Sequence, residues 1–169
     1  MSTQYLLARK WALTDRFAIT DAAGQPQFEV QGRVALRQRL SIRDMAGIEV
    51  GAITKAGFRL RYDISAGAVQ ASVRPRGLFR AGFTVDASTG QLLARGSFTG
   101  RNYDVLRGAT VVASVSQQRS IRERFAVDVA DGEDPVLMLA VILVIEIVRD
   151  ERRRSAATEA AAGAGTASS

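Results

Sequence analysis

Between Phe17 and Val115 apolar and polar residues alternate in short runs, and the runs recur. The first unit reads Phe17-Ala-Ile19-Thr-Asp21-Ala-Ala-Gly24, followed by Phe28-Glu-Val30. The second reads Leu40-Ser-Ile42-Arg-Asp44-Met-Ala-Gly47, followed by Val50 to Ile53. Three more open at Tyr62, Phe83 and Tyr103, and each passes through a Gly-containing turn into another alternating run. A sixth opens at Phe125-Ala-Val127-Asp128 and then changes character. The anchors Phe17, Leu40, Tyr62, Phe83, Tyr103 and Phe125 stand 20 to 23 residues apart. That spacing accommodates two strands of about six residues, a turn and a connector. Alternation with period two on both sides of a Gly or Asp turn is the signature of a β-hairpin. Five hairpins, the opening strand of a sixth and an N-terminal strand near Tyr5–Arg9 predict a meander of about twelve strands. A sheet of that size curls or closes, which also removes its exposed edges.

The sixth unit leads into ten consecutive apolar residues, Val136 to Ile145, then Glu146, Ile147 and Val148. Asp134 suits the N-cap of a helix and Pro135 its first turn. Arg149 and Arg152 to Arg154 favour the other end of its dipole. These signals predict a helix over residues 135 to about 151. It is apolar on every face, so every face must be buried. The 13 residues Val136–Val148 give about 20 Å of helix against about 30 Å of bilayer hydrocarbon. The interior of a closed barrel fits that length better than a membrane does, because a wide barrel can hold a central plug. The expected architecture is therefore mainly β: a closed antiparallel barrel of about twelve strands enclosing one hydrophobic C-terminal helix. One domain over residues 1–154 is expected, followed by a disordered Ala/Gly/Ser tail over 155–169.

Composition removes whole classes of chemistry. The 169 residues include no Cys and no His. Disulfides, thiolate nucleophiles, the usual zinc sites and a histidine-based triad are excluded together. Neither a P-loop nor a dinucleotide fingerprint occurs. The acids Asp128, Asp131, Glu133 and Asp134 invite a calcium test, but the loop positions that should carry ligands hold Ala130, Gly132 and Leu139. Turn formation and helix capping explain these acids. No enzyme, no metal and no cofactor is expected. A secretory signal is not visible near Met1 to Lys10, so a cytoplasmic location is expected.

The repeated Asp-x-x-Gly turns carry a resemblance, as do Tyr103-Asp-Val-x-Arg-Gly108 and the segment Phe-Ala-Val-Asp-Val-Ala-Asp-Gly-Glu-Asp-Pro-Val-Leu-Met-Leu-Ala (125–140). Over residues 4–150 the chain resembles the LURP-one-related family, which is similar to the tubby C-terminal domain and to phospholipid scramblases. The resemblance implies a twelve-stranded barrel around a hydrophobic helix. The relatives imply phosphoinositide binding or lipid movement. The lysine-rich phosphoinositide pocket of tubby-like proteins has no matching residues here.

Charge changes the picture last. Net charge is +6, and 21 of the 23 basic residues are Arg. In a meander the hairpin turns fall at one end of the barrel and the connectors between hairpins at the other. The turn end collects Asp21, Asp44, Asp86, Asp128 and Asp131. The connector end collects Arg9, Lys10, Arg37, Arg39, Lys55, Arg74, Arg76, Arg101 and Arg119. A helix threading the barrel from the acidic end delivers Arg152, Arg153 and Arg154 there too. Guanidinium groups pair bidentately with phosphates, so these residues form the candidate site for an anionic headgroup. The expected partner is an anionic membrane surface or a phosphoinositide, met by a monomer at the inner face of the membrane. Nucleic acid is disfavoured, because most aromatics occupy strand anchors rather than an exposed stacking platform. The alternative is a soluble structural or protein-interaction domain with no lipid ligand and an unknown protein partner. Active lipid scrambling is a third reading, which the short helix opposes.

Overall fold

The computed structural model describes residues 1–8, 16–34, 38–57, 60–77, 82–117 and 124–165. Twelve strands and one helix follow the chain in order. They are β1 (Ser2–Ala8), β2 (Arg16–Asp21), β3 (Pro26–Val34), β4 (Gln38–Asp44), β5 (Glu49–Lys55), β6 (Tyr62–Ala66) and β7 (Val69–Pro75). They continue as β8 (Phe83–Ala87), β9 (Gly90–Ser97), β10 (Asn102–Arg107), β11 (Thr110–Ser116), β12 (Arg124–Ala130) and α1 (Pro135–Gly165). Each strand pairs antiparallel with the next. β1 then pairs with β12 from Ser2↔Ala130 to Ala8↔Arg124, which closes the barrel.

The repeated sequence builds repeated geometry. Asp21 Oδ1 accepts hydrogen bonds from the amides of Ala23 and Gln25, both at 2.9 Å. Asp44 Oδ1 does the same for Ala46 at 3.0 Å and Ile48 at 2.9 Å. Each turn needs a left-handed residue three positions on, and Gly24 and Gly47 supply it at φ 84° and 82°. Register shifts follow Ile19, Ile42 and Val105, each two residues after its anchor. Such irregularities bend a strand and tighten its twist, which helps a flat meander curl shut.

Alternation then fills the interior. The anchors Leu40, Tyr62, Phe83, Tyr103 and Phe125 are buried, as are the residues two further on: Ile42, Ile64, Val85, Val105 and Val127. Phe17 is partly buried and packs against the same core. The helix occupies the centre, and every residue from Leu137 to Val148 is buried. Its start is capped as the sequence predicts: Asp134 Oδ1 accepts from the Val136 amide at 2.9 Å. Gly51 on β5 faces this entrance, where an added Cβ would lie 2.7 Å from Val136 Cγ1. The helix needs that space to pass the wall.

One expectation fails. The helix continues to Gly165 rather than ending near residue 151, so residues 155–165, expected to be disordered, are helical. Residues 166–169 lie outside the described residues. Helix nucleation is the costly step. Here the buried half supplies the nucleus, and an Ala-rich segment propagates it at little cost. Residues 153–164 are exposed, so this extension projects away from the barrel.

Gly96 on β9 makes a close backbone approach to β10 at Tyr103. At φ 133°, a Cβ here would lie 2.7 Å from both Asn102 O and Tyr103 Cα. Gly96→Ala is expected to lower stability by about 2 kcal/mol or more, read from the urea midpoint.

Candidate functional site

The connector end is where α1 leaves the barrel, and polar groups on the helix engage the wall there. Glu151 Oε1 lies 3.1 Å from Lys55 Nζ and accepts from the Tyr62 hydroxyl at 3.0 Å. Lys55 also sits over the Tyr62 ring, 5.7 Å from its centroid. Deeper in, Arg101 Nε donates to Glu146 Oε2 at 2.9 Å, and the two side chains are 8% and 3% exposed. Tyr103 adds its hydroxyl to Glu146 Oε1 at 3.4 Å. Arg149 lies 4.0 Å from Glu146 and donates to Thr99 O at 3.2 Å.

Electrostatics at this cluster are dominated by burial. Burial pushes the Glu146 carboxyl above the ordinary range, against the pull of Arg101 and Arg149. It also lowers the Arg149 guanidinium, and Arg101 nearby adds to that. Arg101 reaches inward from an unusual backbone, φ 50°, the left-handed region that a non-glycine residue occupies at a cost of about 1 kcal/mol or more. The bond to Glu146 and the Phe125 ring, 5.0 Å from the guanidinium carbon, hold it there.

The sequence-predicted cations therefore divide. Arg101, expected among the headgroup ligands, is buried and committed to Glu146, so it is not part of an exposed surface. Lys55 is half-buried against Glu151. On the outer wall Arg39 forks onto both oxygens of Glu49, at 2.9 and 3.1 Å, and Arg74 bonds Asp86 at 2.9 Å. The Ser41 hydroxyl, with Arg39, holds Glu49 below the usual carboxyl range. Arg154 pairs with Asp150 at 3.2 Å on the projecting helix, where Arg152 and Arg153 also lie. Arg76 and Arg153 are exposed, with no carboxylate at ion-pair distance among the described residues. Arg9, Lys10, Arg37 and Arg119 lie outside the described residues, as does Trp11.

The sequence reading also passed over several exposed arginines, some of them paired on the wall, such as Arg16 with Glu29 and Arg61 with Asp63. Of these, Arg33 and Arg95 lie near the ends of β3 and β9 at the same mouth, without a carboxylate at ion-pair distance among the described residues. Strand parity was the available signal: each is a polar outward position near a strand's connector end. At the opposite end Asp21 and Asp44 cap their turns, and Asp131 approaches the N-terminal amine at 3.9 Å. Arg107 there is neutralised by Glu133 at 2.9 Å. Among the described residues, no group of His, Cys, Asp or Glu is arranged to hold a metal ion. No helix among them is long and apolar enough to cross a membrane.

The model of the LURP-one-related family matches residues 3–146, which take in all twelve strands and most of the buried part of the helix. The chain belongs to the LURP-one-related family. Its fold is similar to that of an Arabidopsis thaliana protein solved by X-ray crystallography. The TM-score is 0.67 at 18% identity, over 87% of this chain and 91% of that one. No curated protein matches. For this LURP-one-related chain the likeness covers the barrel that positions the mouth.

Two measurements test the mouth. Arg101→Leu strands a buried carboxylate and is expected to cost about 3–5 kcal/mol, whereas adding Glu146→Leu should recover most of the loss. Urea unfolding of the single and double variants checks this. Burial raises Tyr5, Tyr62 and Tyr103 above the ordinary 10.0, with Glu151 and Glu146 adding to the latter two. The folded state thus keeps three phenol protons that the unfolded chain releases. Their contribution to stability is complete below about pH 10 and declines as pH rises beyond it. Phenolate absorbance of the folded protein is expected to appear at higher pH than that of the urea-unfolded chain; coincident titrations of the two states contradict this.

Proposed function

We propose that this protein is a non-enzymatic barrel module that binds anionic phospholipid, phosphoinositides included, at the inner face of a membrane. The observation that carries the reading is the separation of its exposed charges. Arg33, Arg76, Arg95 and Arg153 stand at the mouth from which α1 projects, without carboxylate partners among the described residues. Asp21, Asp44 and Asp131 stand at the other end. A cation near an anionic lipid surface contributes about 1 kcal/mol, so several on one face suffice for reversible adsorption. The acidic end then points away from the bilayer, which orients the barrel. The apolar part of α1 takes no part, since its side chains are consumed by the core.

Co-sedimentation with vesicles tests the reading. Binding is expected to vesicles containing anionic phospholipid and not to neutral ones, and to weaken as salt rises. Reversing Arg76 and Arg153 to Glu should abolish it without unfolding the barrel. Absence of binding even at low salt would sink the proposal and favour an interaction domain for a protein partner.

A further inference from the structure

The outer wall beside the mouth holds an arrangement that diffuse adsorption does not require. Arg33 on β3 stands directly opposite Arg39 on β4, and Arg39 stands opposite Thr54 on β5. All three face outward, since Gly32, Leu40 and Ile53, their respective neighbours in sequence, are buried inside. Directly opposed side chains have Cβ atoms about 5 Å apart, and like charges at that spacing repel. Nothing among the described residues relieves Arg33. Arg39 is relieved on one side only: a single terminal nitrogen contacts Glu49, and its other N–H groups have no partner among the described residues. Thr54 contributes a hydroxyl that has no hydrogen-bond partner among the described residues. Two arginines and a threonine thus occupy adjacent outward positions near the ends of three paired strands, a donor set that suits the oxygens of one phosphate group.

The wall next to them is hollow. A depression of about 520 Å³ begins at Arg39 and Thr54 and runs along β5 and β6. Its lining includes the small residues Ala52 and Ser65, with Glu49, Asp63 and Gln70; Glu49 also holds Arg39 and Ser41, and Asp63 holds Arg61 and Ser72. Carboxylates and an amide oxygen accept hydrogen bonds, so they suit hydroxyl groups and repel a second phosphate. No aromatic ring lines the depression, which leaves a nucleobase without a stacking partner.

We propose that Arg33, Arg39 and Thr54 bind a single phosphate ester whose hydroxyl-rich remainder lies in the depression against Glu49 and Asp63. The ligand chemistry is that of a glycerol phosphate or a similar polyol phosphate, whether free or as the headgroup of a phospholipid. The membrane source rests on the lipid reading above; the phosphate site does not.

Titration calorimetry with soluble glycerol phosphate, inorganic phosphate and vesicles of phosphatidylcholine with phosphatidylglycerol separates the possibilities. Arg33→Gln and Thr54→Val are compared with Arg124→Gln, which removes one exposed charge at the start of β12, outside the site. All three positions lie on the barrel's outer face, and circular dichroism checks the fold. Glycerol phosphate is expected to bind the parent protein and Arg124→Gln alike. Arg33→Gln should weaken it about tenfold or more, as loss of a charged hydrogen-bonding partner does. Thr54→Val should weaken it less. Absence of saturable glycerol phosphate binding, or equal effects of Arg33→Gln and Arg124→Gln, overturns the site; vesicle adsorption would then persist as diffuse attraction. Equal affinity for inorganic phosphate overturns the role given to the depression. Binding of glycerol phosphate without vesicle binding supports the site and removes the membrane from the account.

Discussion

Everything in this molecule is arranged around a helix that has no polar side to offer water. From Leu137 to Val148 every position is buried, and a single strand layer has to wrap the whole circumference. A sandwich would cover two faces and leave the flanks wet. Closure answers the requirement, and with it come the bends after Ile19, Ile42 and Val105 that let twelve strands meet. Gly51 belongs to the same constraint, since the wall must thin where the helix enters.

The one acid within that buried stretch, Glu146, shows how far the constraint reaches. A buried carboxylate is tolerable only with hydrogen-bonded counter-charges, and Glu146 obtains them from Arg101, Tyr103 and its helical neighbour Arg149. Such a cluster adds little net stability compared with apolar packing. It does define where along its axis the helix can stop, because sliding by a turn would leave both Glu146 and Arg101 unpaired. Glu151 with Lys55 and Tyr62 repeats the device nearer the rim. Since Arg101 and Lys55 serve the helix, the surface charge of the mouth is smaller than a count of cations suggests.

Legibility from sequence followed the range of each interaction. The hairpins were readable because their signals are local: the Phe17 and Leu40 anchors, the Asp21 and Asp44 turns, the alternation between. The helix start was readable for the same reason, through Asp134 and Pro135. Its end was not, because the Arg and Ala residues after Val148 propagate a helix whose nucleus is made by tertiary burial. The inward turn of Arg101 depends on a partner 45 residues away, so charge alone placed it wrongly on the surface. The opposition of Arg33 and Arg39 depends on strand register, and the pairing of Arg39 with Glu49 and of Arg74 with Asp86 on partners displaced along the neighbouring strand. The candidate site was thus legible as an end of the molecule but not as a set of side chains.

The pairing of β1 with β12 bears on how the chain reaches this state. Ser2 meets Ala130, so the first strand made waits for the last. Until β12 emerges, a growing sheet keeps two open edges and an uncovered inner face, both of which invite association with other chains. The helix is made later still, after the wall that must surround it. Closure and enclosure therefore come after all twelve strands have been made and are governed by contacts of very long range in sequence, the slow class in folding. The polar turns at the acidic end, complete within a few residues each, can form long before that and hold the successive hairpins in register while they wait.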